Sequence, residues 1–157
     1  NILAHPANSF VEDFVGKDRT LKRLSLFTAR DAINISSDFF QENDKIENAM
    51  KLMKEKQLKS IFVLNDKKEP TGRLVLKELN MKDSLQGICK NYSIELKSVI
   101  LLSENLKNIS SKMYLHTKSS FACVNDNGQF IGEISQDSIS KFLNLAYSEA
   151  KVGYEDE

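Results

Sequence analysis

Apolar positions along this chain switch repeatedly between helical and strand spacing, and the switches predict its elements. The apolar pair Phe39-Phe40 reads as a short strand. Ile46, Ala49, Met50 and Met53 then fall on one face of a helix, with the polar residue Asn43 ahead of them as its cap. The unbroken run Ile61–Leu64 reads as a buried strand, Asn65-Asp66 as a turn, and Gly72–Val75 as a further strand leading to Leu79.

The same order returns later. A shift of 60 positions carries residues 38–79 onto 98–139 without a gap, so that Met53 meets Met113, Ser60 meets Ser120, Asn65-Asp66 meets Asn125-Asp126 and Gly72 meets Gly132. Apolar character survives where identity does not: Ile46 matches Leu106, Ile61 matches Phe121 and Val63 matches Cys123. The second copy opens with Val99-Ile100 and a Ser103 cap. Its helix carries Leu106, Ile109 and Met113, its strands run over Phe121–Val124 and Gly132–Ser135, and its closing helix places Ile139, Phe142, Leu143 and Ala146 on one face. The chain is therefore expected to be α/β (α+β), with the order β-α-β-β-α twice. A unit of this size buries too little surface to be stable by itself, so two such units are expected to act together. The domain reading is residues 1–33 as connector and linker helix, 34–80 and 94–147 as the two repeats, 81–93 as a connector between them and 148–157 as an acidic tail.

Composition narrows the function. Of 157 residues, 41% are hydrophobic and 28% charged, which fits a folded globular chain. The 22 basic and 22 acidic side chains cancel, so the strongly basic face of a nucleic-acid binder is not expected. Apolar runs such as Ser98–Leu102 are far shorter than the roughly 20 residues of a membrane span. The start at Asn1 suggests a piece of a longer protein. Cys89 and Cys123 lie outside any CxxC spacing, which argues against a disulfide framework and for a cytosolic chain, with Cys123 in the core. His5 and His116 belong to no triad, no His/Cys/Asp cluster has metal-ligand spacing, and no GxxxxGK[ST] loop exists to hold phosphates. Catalytic residues, a metal and a resident cofactor are all expected to be absent, and the chain is not expected to be an enzyme.

Two stretches carry a family resemblance. Ile46-x-x-Ala49-Met50-x-x-Met53, then Leu58–Asp66, then Pro70-Thr71-Gly72-Arg73-Leu74 resembles the CBS (cystathionine-beta-synthase) domain, and the repeated unit resembles a CBS pair, or Bateman module, whose halves are related by a pseudo-two-fold axis. Ile2–Gly16, followed by Leu21–Leu26, resembles the end of the ATPase domain in osmoprotectant ABC importers of glycine betaine, carnitine or choline. Read from its residues, that segment is a short helix with a Ser9/Glu12 capping box, an apolar stripe of Phe10, Val11, Phe14 and Val15, and a stop at Gly16.

The resemblance implies a regulatory module that binds an adenine-containing ligand in the cleft between its repeats. The ligand-binding residues it implies are Phe39, Leu58, Lys59, Ser60, Ser120, Phe121, Glu133, Ser135 and Gln136. In importers of this kind the resemblance further implies cyclic di-AMP as the ligand, held by a homodimer, with inhibition of uptake as the consequence. The partners would be the ATPase domain of the same chain and the permease subunits, at the cytoplasmic side of the membrane. The sequence departs from the family pattern in places. AMP- and ATP-binding pairs carry Thr and Asp after the glycine, whereas this chain has Val75 and Glu78, then Ser135 and Ser138. Ser120, Glu133 and Gln136 stand where cyclic di-AMP binders can carry an aromatic, an apolar residue and a cation, and Lys59 and Arg73 are the candidate cations to offset Glu133. Two readings compete with cyclic di-AMP: an ionic-strength sensor using the lysines of residues 51–59 and the acidic tail, or a plain dimerisation element, and an AMP/ATP sensor.

Overall fold

The computed structural model describes residues 18–155. The Ser9/Glu12 capping box, the apolar stripe after it, Gly16, His5, Asp156 and Glu157 lie outside the described residues. In chain order the elements are α1 (Asp18–Leu26), α2 (Ala29–Ala32), β1 (Phe39–Gln41), α3 (Ile46–Glu55), β2 (Ser60–Leu64), β3 (Pro70–Val75), α4 (Leu76–Asn80), β4 (Ile94–Glu95), β5 (Ile100–Leu101), α5 (Leu106–Leu115), β6 (Ser120–Val124), β7 (Phe130–Ser135) and α6 (Gln136–Glu155). A 3-10 turn at Cys89–Asn91 precedes β4. The fold is α+β, with one sheet ordered β1-β2-β3-β4 and another ordered β5-β6-β7.

The chain divides into two compact units. One comprises Ser36–Val99 with Val124–Ile131; the other comprises the residues up to Ile35, Ile100–Cys123 and those from Gly132 onward. In the first unit β1 runs parallel to β2, β3 antiparallel to β2, and β4 antiparallel to β3. Period-two alternation sends Ile61, Val63 and Leu74 to the face covered by Ile46, Ala49 and Met53 of α3, and these residues form a buried core with Leu79 and Cys89. The second unit repeats the plan with Leu106, Ile109 and Met113 of α5 over Phe121, Cys123 and Ile134, joined by Leu24, Ala29, Ala32, Ile100, Ile139 and Leu143.

The repeat reaches further back than residue 38. Leu106 N donates to Phe27 O at 2.9 Å, and Ile46 N to Gly87 O at 3.0 Å. Ala29 N donates to Glu104 O at 2.9 Å, and Cys89 N to Asp44 O at 2.8 Å. Arg30 N donates to Leu102 O at 3.1 Å, and Lys90 N to Glu42 O at 2.9 Å. Each pair of bonds is the same bond shifted by the same 60 positions. The segment ahead of the first repeat therefore packs in the unit of the second, and the segment ahead of the second packs in the unit of the first.

Three expectations are corrected by the structure. Residues 81–93 are more than a connector: Cys89 is fully buried in the first core, and Ile94–Glu95, placed by sequence in the second repeat, complete the first sheet as β4. The helix caps also move. α3 begins after Lys45, which makes no side-chain cap, and its first amide is satisfied by the Gly87 carbonyl instead of Asn43. α5 is capped by Asn105, whose Oδ1 accepts from Asn108 N at 2.9 Å, instead of by Ser103. The cap belongs directly before the first periodic apolar residue, because only there does the side chain reach the N2 or N3 amide. Finally, α6 runs on through residue 155 instead of giving way to a tail at 148; nothing between 148 and 152 breaks a helix.

Candidate functional site

Each unit uses one sheet face for its core and leaves the other for different work. On the non-core face of the first sheet the strand register aligns Phe39, Phe62 and Arg73 in one row across β1, β2 and β3. Ser60 shares this face by alternation and is half-buried opposite Val75. Lys59 is exposed, and its carbonyl accepts from Leu76 N at 2.9 Å, which ties the start of β2 to the start of α4. Leu58 is half-buried against the first core. It follows Gln57, whose φ of 57° reverses the chain at the end of α3. Leu58, Lys59 and Ser60 thus lie beside Val75 and Leu76.

The second unit gathers the equivalent residues by an equivalent bond. Gln136 N donates to Ser119 O at 3.0 Å, bringing Ser120 beside Ser135 and Gln136. Ser120 is buried, whereas Glu133, Ser135 and Gln136 are half-buried. Phe121 departs from this group. It is 6% exposed inside the second core, because alternation along β6 sends it to the opposite face from Ser120. Its side chain therefore packs the core.

Ser135 has a structural task. Its Oγ accepts from Ser138 N at 3.0 Å, while Ser138 Oγ accepts from Ser135 N at 2.9 Å. This reciprocal cap satisfies amides at the start of α6. The first unit has Val75 and Glu78 at the matching places and no side-chain cap. The hydroxyl proton of Ser135 takes no part in the cap, so this residue can donate to an acceptor oxygen.

The backbone of Glu133 is held by Asn34, a residue that the sequence reading did not single out. Asn34 N donates to Glu133 O at 2.9 Å, and Glu133 N donates to Asn34 O at 3.2 Å. Gly132 makes the approach possible, since a Cβ there would overlap the Asn34 carbonyl oxygen. The signal available in sequence was the offset itself, which places Asn34 on Ile94, the β4 residue paired with Arg73, and Arg73 on Glu133. Phe130 was also missed; its ring packs against both Phe39 and Phe62.

Among the described residues no group of His, Cys, Asp and Glu could hold a metal ion. Both cysteines are buried and unpaired. Burial, with Asp44 nearby, pushes the Cys89 thiol up to about 11. Burial, then Glu104 and Glu133, pushes Cys123 up to about 12, so both stay protonated at neutral pH. An open depression of about 420 Å³ on the first unit is lined by Met50, Lys54, Leu79, Leu85 and their neighbours, and contains none of the sequence-predicted site residues.

The CBS domain family matches residues 28–81. Residues 28–81 are a CBS domain. A CBS domain is a regulatory module, not a catalytic one. The chain is homologous to ATP-binding subunits of osmoprotectant ABC importers. It is 31% identical over 144 residues to the osmoprotectant import ATP-binding protein OsmV of Salmonella typhimurium, covering 91% of this chain and 37% of the relative. It is 25% identical over 118 residues to the carnitine transport ATP-binding protein OpuCA of Listeria monocytogenes, covering 72% of this chain and 30% of the relative. The chain thus spans about a third of the length of these curated relatives. Its fold matches the crystal structure of CBSX2 in complex with AMP, with a TM-score of 0.65 at 15% identity, over 77% of this chain and 98% of that one. The CBS match starts at Thr28, within the exchanged segment, so the matched span draws on both compact units. Among the described residues no helix is long and apolar enough to cross a membrane.

Proposed function

We propose that this chain is the ligand-sensing part of an osmolyte ABC importer, and that it binds cyclic di-AMP between two copies of itself to inhibit uptake. The observation that carries the reading is the identity, over most of the chain, to an ATP-binding protein of osmoprotectant import. On this reading the partners are an ATPase domain of the same chain and the permease subunits, and the module works on the cytoplasmic face of the membrane. The transported solute is an osmoprotectant of the glycine betaine and carnitine kind.

The chemistry of the candidate residues supports a nucleotide. Phe39 offers an aromatic surface to a base, Lys59 an exposed cation to a phosphate, and Ser135 a hydroxyl that donates to a ribose oxygen. Glu133 opposes an anion, which favours a pose that keeps phosphate away from β7. A symmetric ligand suits a symmetric dimer, because each copy contributes the same patch. A ligand inhibits only by its differential affinity for the two states of the importer.

The test is solute uptake by the intact importer reconstituted in vesicles, with cyclic di-AMP on the side of the ATPase. Inhibition at micromolar cyclic di-AMP, with AMP and ATP analogues inactive, is the expected outcome. Uptake that responds to ionic strength and ignores all three nucleotides would replace this reading with a salt sensor built on Lys51, Lys54, Lys56 and Lys59.

A further inference from the structure

The row Phe39–Phe62–Arg73 is open at Phe39 and closed at its middle. Phe39 is 46% exposed, Phe62 is 2% exposed, and the Arg73 guanidinium lies over the Phe62 ring at 4.7 Å from its centroid. Strands stand about 4.8 Å apart, so the backbones of Phe39 and Arg73 at the ends of the row are separated by roughly 10 Å, and the Arg73 side chain leans back over the middle of the row. Phe130 covers the middle. Its ring centroid lies 5.8 Å from Phe39 at an interplanar angle of 67°, and 5.7 Å from Phe62 at 52°. Its backbone is anchored independently of these rings, because Phe130 N donates to Lys68 O at 2.8 Å. At the matching position of the other repeat stands Pro70, so nothing reproduces this arrangement there.

We propose that Phe130 is a positioning residue: it holds the exposed ring of Phe39 edge-on so that Phe39 forms the wall against which a purine base stacks. The inference rests on the nucleotide reading above and deepens it by making the two repeats unequal. The repeat with the aromatic row takes the base. An edge-to-face neighbour fixes a ring's orientation while leaving its other surface open. Without Phe130 the Phe39 ring would swing over the exposed edge of β1, and a base would have to order it on binding.

The test is a double-mutant cycle on the purified chain, with cyclic di-AMP and AMP as calorimetric probes. Phe39→Ala is expected to weaken binding about tenfold, the scale of one base–aromatic stack. Phe130→Leu, which keeps apolar bulk but removes the ring, is expected to weaken it about fivefold, and Phe130→Tyr to restore it to within about twofold. The Phe39→Ala/Phe130→Leu double variant should bind no worse than Phe39→Ala, because Phe130 acts only through Phe39. A merely structural Phe130 would instead give losses that multiply and would show a lowered melting temperature in proportion. Multiplying losses, or Phe130→Leu binding like the wild type, would overturn the inference while leaving the nucleotide reading intact. A wild-type chain that binds neither probe would remove the nucleotide reading itself, before any variant is made.

Discussion

Adding one methyl group at Gly132 tests the exchanged segments. A Cβ there would overlap the Asn34 carbonyl oxygen and sit 3.0 Å from the carbonyl carbon, both backbone atoms, with Ile33 Cγ1 at 3.2 Å. Asn34 can yield only by giving up its two hydrogen bonds to Glu133, at 2.9 and 3.2 Å. Two such bonds contribute about 1–3 kcal/mol together. Alanine recovers about 0.5–1 kcal/mol by losing less backbone entropy than glycine on folding. Gly132→Ala should therefore destabilise the protein by about 1 kcal/mol. Gly72→Ala is the internal control. Its new methyl would meet Ser93 Oγ at 2.7 Å and Ser93 Cβ at 2.8 Å, side-chain atoms that Ser93→Gly removes. Ser93→Gly should rescue most of the Gly72→Ala loss, whereas Asn34→Gly should not rescue Gly132→Ala, because the obstructing atoms are backbone. Urea denaturation followed by circular dichroism reads each midpoint, and the slope checks that only stability has changed. An unchanged midpoint for Gly132→Ala, or full rescue by Asn34→Gly, would refute the docking of Asn34 on β7.

Three further expectations follow from local chemistry. Thr117 ends α5 at φ 49°, where a β-branched residue is strained, so Thr117→Gly should raise stability by about 1 kcal/mol in the same denaturation assay. Ser135→Ala removes the α6 cap and should cost about 1 kcal/mol of stability, and it should also weaken cyclic di-AMP binding in calorimetry. Cys89 and Cys123 have folded pKa values raised to about 11 and about 12 from 9.0, so the folded state prefers the thiol. Their stabilising contribution is complete below pH 9 and is lost as pH climbs toward 12. Cys123→Ala should accordingly flatten the fall in melting temperature above pH 9, and Ellman's reagent at pH 8 should label neither thiol until denaturant is added.

Much of this fold was legible because the repeat keeps its register through turns as well as strands. Asn65 and Asn125 each fold the following turn with one side-chain oxygen, accepting from Lys67 N and Glu69 N in the first copy and from Asn127 N and Gln129 N in the second. Lys68 and Gly128, at matching positions, both have positive φ, of 67° and 79°. The part that escaped notice, residues 27–34 against 87–94, keeps its backbone hydrogen bonds while sharing no identical residue. Ala29 and Cys89 are both fully buried, but a small apolar residue is too common to reveal a repeat. The site was legible in part. Hydroxyls at Ser60, Ser120 and Ser135 stand out in sequence, but Phe121 packs the core because alternation decides its face, and Phe130 was hidden because its partners, Phe39 and Phe62, are distant in the chain.

Calorimetric titration of the purified chain with cyclic di-AMP tests the central claim most directly, since it reads affinity and stoichiometry together. Saturable binding at micromolar concentration or below, with one ligand for every two chains, is the result this account expects. A folded chain that gives no binding heat, or that binds one ligand per chain and prefers AMP, would contradict it.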